Sequence, residues 1–237
     1  MTKVKRRLRI KELLIQYKIY TFAEFIRKTE EQSKTMKLIL LTNTDFFVEE
    51  DKILTTLFEE GLDILHLRKP NSEPVYCERL ISLIPKEFHH KIVVHDHFYL
   101  CDEFNLMGIH LNRRHPDIPT GYKGPITRTC YSLEELQLQK PQCQYTFLRN
   151  IYNSISEPNN KASFSTEEIK EAVRNGIIDK KVFAEGGVSL ENIPELKTMG
   201  FGGAVVRGDL WKRFNIHSER DFKEIITHFR RLRKEAG

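Results

Sequence analysis

The chain has 237 residues, 40% hydrophobic and 30% charged, with a formal net charge of +5, a length that accommodates one large domain without requiring a second core. The positive excess sits at one end, because residues 1–35 carry 10 Lys and Arg against 4 Asp and Glu, leaving 28 against 29 for the rest. A nearly neutral body gives no electrostatic reason to expect nucleic acid as partner, and no uninterrupted apolar run resembles a signal peptide or a membrane span.

Residues 3–28 read as a basic amphipathic helix in which Leu13, Leu14, Tyr17, Tyr20 and Phe25 form an imperfect apolar stripe without glycine or proline. The expected organisation is a helical extension over 1–35 and a domain over 36–237, with Met36 as an alternative native start. Beyond Met36, β-rich runs at 37–42, 62–67, 91–94, 107–111, 125–129, 144–148, 181–184 and 203–206 alternate with amphipathic stretches at 50–60, 74–84, 132–139, 166–175 and 191–199. That is the spacing of βα units, and it predicts an α/β fold, a (β/α)8 TIM barrel with an N-terminal helical extension. Pro116, Pro119, Gly121 and Gly124 predict an irregular loop between strands four and five. The polar stretch 153–165 is placed over the barrel mouth as a potential lid, and a last helix is expected over 219–234. Cys77, Cys101, Cys130 and Cys143 lack close metal-type spacing, which suits core thiols in a reducing cytoplasm.

In such barrels the reactive groups stand at the C-terminal strand ends. Strand two ends His66-Leu67-Arg68-Lys69, where Arg68 suits a bidentate contact to phosphate or carboxylate and Lys69 adds a point charge, unless the two are a surface pair. Strand three ends His95-Asp96-His97. Adjacent strand residues point in opposite directions, so the three do not converge on one metal ion, but Asp96 with waters could hold magnesium on a bound diphosphate. His66 and His95 are candidates for proton transfer, with a satisfied structural histidine as the alternative for each; His110 on strand four reads as structural. Ser132 suits an N-cap with Glu135 at the third helical position. Arg149 and Asn150 put a cation and an amide near the mouth, making Asn150 a substrate-binding candidate. After strand seven, Gly186-Gly187 lets backbone N–H groups approach an anion, and Gly202-Gly203 opens strand eight. The two together predict a phosphate cradle.

Taken in order, Leu40-Leu41-Thr42-Asn43, His66-Leu67-Arg68-Lys69, Val94-His95-Asp96, Gly108-Ile109-His110-Leu111, Tyr131-Ser132-Leu133-Glu134-Glu135, Gly186-Gly187-Val188 and Gly203-Ala204-Val205-Val206 resemble the thiamine phosphate synthase and TenI family over about residues 36–213. The resemblance implies a phosphate site at Gly186, Gly187 and the turn Val206-Arg207-Gly208, and compares Lys161 with the family's diphosphate lysine. The family holds two activities: a magnesium-using synthase that joins a pyrimidine diphosphate to a thiazole phosphate, and a tautomerase that moves a proton on a thiazole phosphate carboxylate. Against the synthase pattern, His66 stands for a glutamine, His95 for an asparagine, and Asn112-Arg113-Arg114 lacks the second acidic magnesium ligand. Against the tautomerase pattern, Asn150 stands where an acid-base histidine is expected. The resulting expectation is a cytoplasmic thiazole phosphate protein, tautomerase-like, needing no cofactor and compatible with a homo-oligomer. The alternatives are the synthase with Mg2+ and a non-catalytic binder of thiazole phosphate or thiamine phosphate.

Overall fold

A computed structural model describes residues 35–157, 159–213 and 222–237; the expected helix over 3–28 lies outside them. Eight parallel strands close into a barrel in sequence order: β1 Lys37–Leu41, β2 Ile64–Leu67, β3 Ile92–Val94, β4 Gly108–Leu111, β5 Ile126–Cys130, β6 Tyr145–Arg149, β7 Val182–Glu185 and β8 Gly203–Val206. The helices between them are α1 Glu50–Glu59, α2 Pro74–Leu83, α3 Leu100–Glu103, α4 Leu133–Gln139, α5 Thr166–Arg174, α6 Ile193–Thr198, α7 Gly208–Trp211 and α8 Lys223–Ala236. No helix of the described residues joins β4 to β5, as the prolines and glycines there predict.

The two-residue period of the strands divides the apolar residues between two cores. One parity, including Ile39, Ile64, Val93, Phe147, Phe183 and Val205, fills the barrel interior. The other, including Leu38, Leu65, Ile109, Leu148 and Ala184, packs outward against helix residues such as Leu54, Leu57, Ile81, Leu136 and Ile169. Fully burying each such side chain contributes about 1.5–3 kcal/mol.

The helix starts follow their sequences. Ser132 caps α4 by accepting from Glu135 N at 3.1 Å, Ser165 and Glu168 form a capping box on α5, and Pro74 opens α2, where a missing N–H is tolerated. The basic residues of α8 find partners at the foot of the barrel: Arg230 pairs with Glu60 and Arg233 meets Asp63 at 2.7 Å. All four cysteines are buried free thiols.

Candidate functional site

The mouth is built around two neighbouring cavities. The first lies over the ends of β7 and β8 and is lined by Asn150, Gly186, Gly187, Val188, Arg207 and Gly208 among others. Gly186 and Gly187 adopt φ of 96° and 67°, the left-handed region that side chains disfavour. A Cβ on Gly187 would also fall 2.2 Å from the Asn153 carbonyl oxygen. The β6 loop is tied across this turn, with Ile151 N donating to Glu185 O and Tyr152 N to Gly186 O, each at 3.0 Å. Farther along, the loop reaches β8: Arg207 donates to Ser156 Oγ at 2.7 Å and Glu157 Oε1 at 2.6 Å. Of the polar stretch 153–165, Ser154, Ile155 and Ser156 line this cavity. Behind it, the α7 residue Asp209 accepts from Leu190 N at 3.2 Å and meets His228 Nε2 at 2.7 Å, fastening the turn after β8 to the β7 loop and to α8.

The second cavity is lined by Arg68, Arg113, Arg114 and Arg149 together with His95, Asn112, Thr129, Tyr131 and Glu185. The Arg113 guanidinium lies 3.7 Å from the centre of the Tyr131 ring, a stacking geometry that arginine favours. Burial, reinforced by the Arg207 and Arg114 cations, pulls the Arg68 guanidinium below its ordinary pKa. Like charges crowded in this way disfavour one another, and an anionic ligand offsets that cost. Arg149 and Glu185 line both cavities, so the two form one continuous site.

Directly beneath is a histidine layer. His66 Nδ1 lies 2.8 Å from His95 Nε2, and His66 Nε2 lies 2.8 Å from the Tyr145 hydroxyl. His110 spans Thr127 and Thr129, with both contacts at 2.8 Å, which is the structural role expected of it. Burial and then the neighbouring His110 hold His66 well below the ordinary imidazole range, and His95 is held down in the same way. Burial, with Arg128 and Arg68, lowers His110 to about 3. All three rings are therefore neutral at physiological pH.

Neither this layer nor the mouth is suited to a metal ion. The histidine nitrogens come within 4.8 Å of one another, but the His66–His95 separation is that of a hydrogen bond. The His95 and His110 rings stack 4.1 Å apart with 18° between their planes. Ring lone pairs lie in the ring plane, so two nearly parallel rings do not converge on one ion. Magnesium on a diphosphate would meet Asp96, whose carboxylate is already paired with Arg114 at 2.9 Å and His115 at 3.1 Å. Asn112, Arg113 and Arg114 add an amide and two cations where a second carboxylate would be needed.

Of the sequence candidates, Arg68, His95, Asn150, Gly186, Gly187, Arg207 and Gly208 come together at the mouth. His66 is fully buried one layer down. Lys69 is not brought to the mouth. Its ammonium is buried on Glu50 at 2.7 and 2.8 Å, donates to Asp45 O at 2.8 Å, and sits 4.4 Å from the Phe46 ring centre. Burial pushes Glu50 up to about 7 and Lys69 down, but the two-pronged contact is that of an ion pair. Val206 packs its side chain into the outer core, leaving only its backbone for an anion. Lys161 is exposed on the β6 loop and lines neither cavity. Sequence reasoning missed Glu185, a carboxylate at the C-terminal end of a barrel strand. The available signal was its position between the apolar run 182–184 and the glycine pair.

The family model for thiamine monophosphate synthase, TMP-TENI, matches residues 38–210. A crystal structure of thiamine phosphate pyrophosphorylase from Bacteroides thetaiotaomicron is 50% identical, covering 85% of this chain and 98% of that chain with a TM-score of 0.79. Thiamine phosphate pyrophosphorylase from Pyrococcus furiosus is 18% identical over 86% of this chain and 96% of that one, with a TM-score of 0.66. A native KDPGal structure is 17% identical over 84% and 93%, with a TM-score of 0.58; these last two likenesses concern the fold. Comparison with curated proteins gives no match. The family match over most of the chain and the half-identical relative agree with the barrel: the chain belongs to the thiamine monophosphate synthase (TMP-TENI) family.

Proposed function

We propose that the protein binds a thiazole phosphate with its phosphate in the Gly186-Gly187 and Gly208 cradle, and acts on it as a tautomerase-like enzyme that requires no metal. The observation carrying this reading is the continuity of the cradle with an arginine-lined cavity, which suits a phosphate ester bearing a second anionic group such as a ring carboxylate. Backbone N–H groups and Arg207 hold the phosphate. Arg68, Arg113 and Arg114 take the second anion, and Asn150 offers a neutral contact between them. Buried, reduced thiols accord with a cytoplasmic setting; no helix of the described residues is long and apolar enough to cross a membrane.

A second reading, thiamine phosphate synthase, is favoured by the name of the half-identical Bacteroides relative. In it the arginine cavity takes a pyrimidine diphosphate and Mg2+ is required. One experiment separates them: the purified protein is given a thiazole phosphate carboxylate alone, then thiazole phosphate with pyrimidine diphosphate, each with and without Mg2+. Tautomer conversion indifferent to Mg2+, with little pyrophosphate release, is expected. Rapid Mg2+-dependent formation of thiamine phosphate would establish the synthase instead, and stoichiometric binding without turnover in both arms would leave a binding protein.

A further inference from the structure

Among the residues lining the two cavities, Glu185 is the one carboxylate. It ends β7 two residues after Phe183, so it shares that residue's parity and turns into the barrel. Its side chain is held from two sides. Thr129 Oγ1 donates to Oε2 at 3.3 Å, and Arg149 Nη1 stands 3.7 Å from Oε1. Thr129 is itself fixed by His110 Nε2 at 2.8 Å, which gives the carboxylate a buried support. The residue is 9% exposed, enough to face a ligand and little enough to stay in place.

The other titratable groups at the mouth suit a proton shuttle less well. Arginine does not release its proton in proteins. Asp96 lines neither cavity and is engaged by Arg114 and His115. His95 is kept neutral by burial and donates to or accepts from His66, which makes it a weak base. Burial raises the Tyr131 phenol above its usual value. Glu185 also directly precedes Gly186 and lines the same cavity as Gly186, Gly187 and Gly208.

We infer that Glu185 is the catalytic acid-base residue of this site, taking a proton from one carbon of the bound thiazole phosphate and returning it to another. The inference rests on the tautomerase-like reading above. In the first half a C–H bond breaks, its electron pair enters the conjugated ring system, and an O–H bond forms on Glu185. In the second half that O–H bond breaks and a C–H bond forms at the far end of the conjugated system. The enzyme returns to its starting state, with no oxidant, reductant or metal consumed.

The test is solvent deuterium exchange into a thiazole phosphate carboxylate, followed by NMR, with ligand Kd measured by calorimetry on the same samples. In E185Q, which keeps the shape and the Thr129 contact, exchange should slow by about 100-fold or more, the scale of a lost general acid-base group, while Kd changes little. In E185D, which retains the carboxylate a methylene short, exchange should persist at a reduced rate, and this variant carries the test should E185Q lose cooperative unfolding. Wild-type exchange rates in E185Q, equal losses of rate and affinity, or a changed Mg2+ requirement would overturn the assignment. Failure of the wild-type protein itself to exchange any carbon-bound proton would overturn the tautomerase-like reading, and the role of Glu185 with it.

Discussion

The mouth of the barrel and the histidine layer beneath it are made by the same strands, only a residue or two apart, yet they treat charge in opposite ways. Above, Arg68, Arg113, Arg114 and Arg149 crowd a cavity open to ligand, and their mutual repulsion favours an anion. Below, His66 and His110 are fully buried with both ring nitrogens engaged, while His95, 3% exposed and held through Nε2, reaches up to the cavity; all three remain uncharged. Solvent access decides the difference. A cation at the mouth is partly hydrated and becomes useful when an anion arrives, whereas a cation one layer down would have neither water nor counter-ion. Substitutions in the mouth should therefore alter binding at little cost in stability, and perturbations of the buried polar groups should do the reverse.

The sharpest contrast is between Arg68 and its neighbour Lys69. Replacing Lys69 with Ala leaves Glu50 buried without its partner, and urea unfolding should show a loss of about 3–5 kcal/mol. Replacing Arg68 with Ala should leave stability nearly intact while weakening ligand binding. Equal stabilities of the two variants would break the division between binding and structural charge.

Acidification should load the histidine layer. The three imidazoles bind protons less readily in the folded chain than at their unfolded value of about 6.5, so the unfolded state takes up protons first as pH falls. Their contribution is complete above about pH 6.5 and is lost as pH drops below it toward the folded values, about 3 for His110. Between pH 7.5 and 5.5 His110 alone should cost on the order of 1 kcal/mol, with His66 and His95 acting in the same direction. Denaturant curves at the two pH values measure this, and a flat profile would mean that the layer already holds charge.

A smaller but more specific effect is expected at the cradle. Gly187→Asp puts a side chain at a φ of 67° and a negative charge at the proposed phosphate position. It should raise the Kd for thiazole phosphate by about 100-fold or more, equivalent to about 2.7 kcal/mol. Unchanged calorimetric affinity in a cooperatively folding variant would remove the phosphate from this turn. The smallest effect should come from metal: with Asp96 already paired to Arg114, adding or chelating Mg2+ should leave tautomer conversion unchanged.

Much of the barrel was legible in the sequence because each strand is a short β-rich run between turn signals, and such runs depend on local chemistry. Boundaries moved where tertiary contacts intervene. The expected strand 62–67 begins at Ile64, because Leu62 N still bonds Leu57 O as α1 turns back at Gly61. The left-handed turn at Gly186 and Gly187 was legible because glycine is the residue such a turn requires. Lys69 was misread because its partner, Glu50, lies on the preceding helix and no local pattern announces the pairing. Glu185 was missed for a similar reason: in a linear reading it belongs to the loop, and barrel closure places it between two cavities. His95 and His66 could be located at strand ends, but the depth that separates the buried ring from the one reaching the cavity is a property of the closed barrel.

In the proposed function one ligand spans both cavities with an anion at each end. Calorimetry of thiazole phosphate with and without its ring carboxylate, on the wild-type protein and on R68A, tests it most directly. The carboxylate form should bind at least about tenfold tighter, a gain of about 1.4 kcal/mol, and R68A should erase most of the gain while both forms still bind through the phosphate. Equal affinities of the two forms for the wild-type protein, or a gain that survives in R68A, would contradict it.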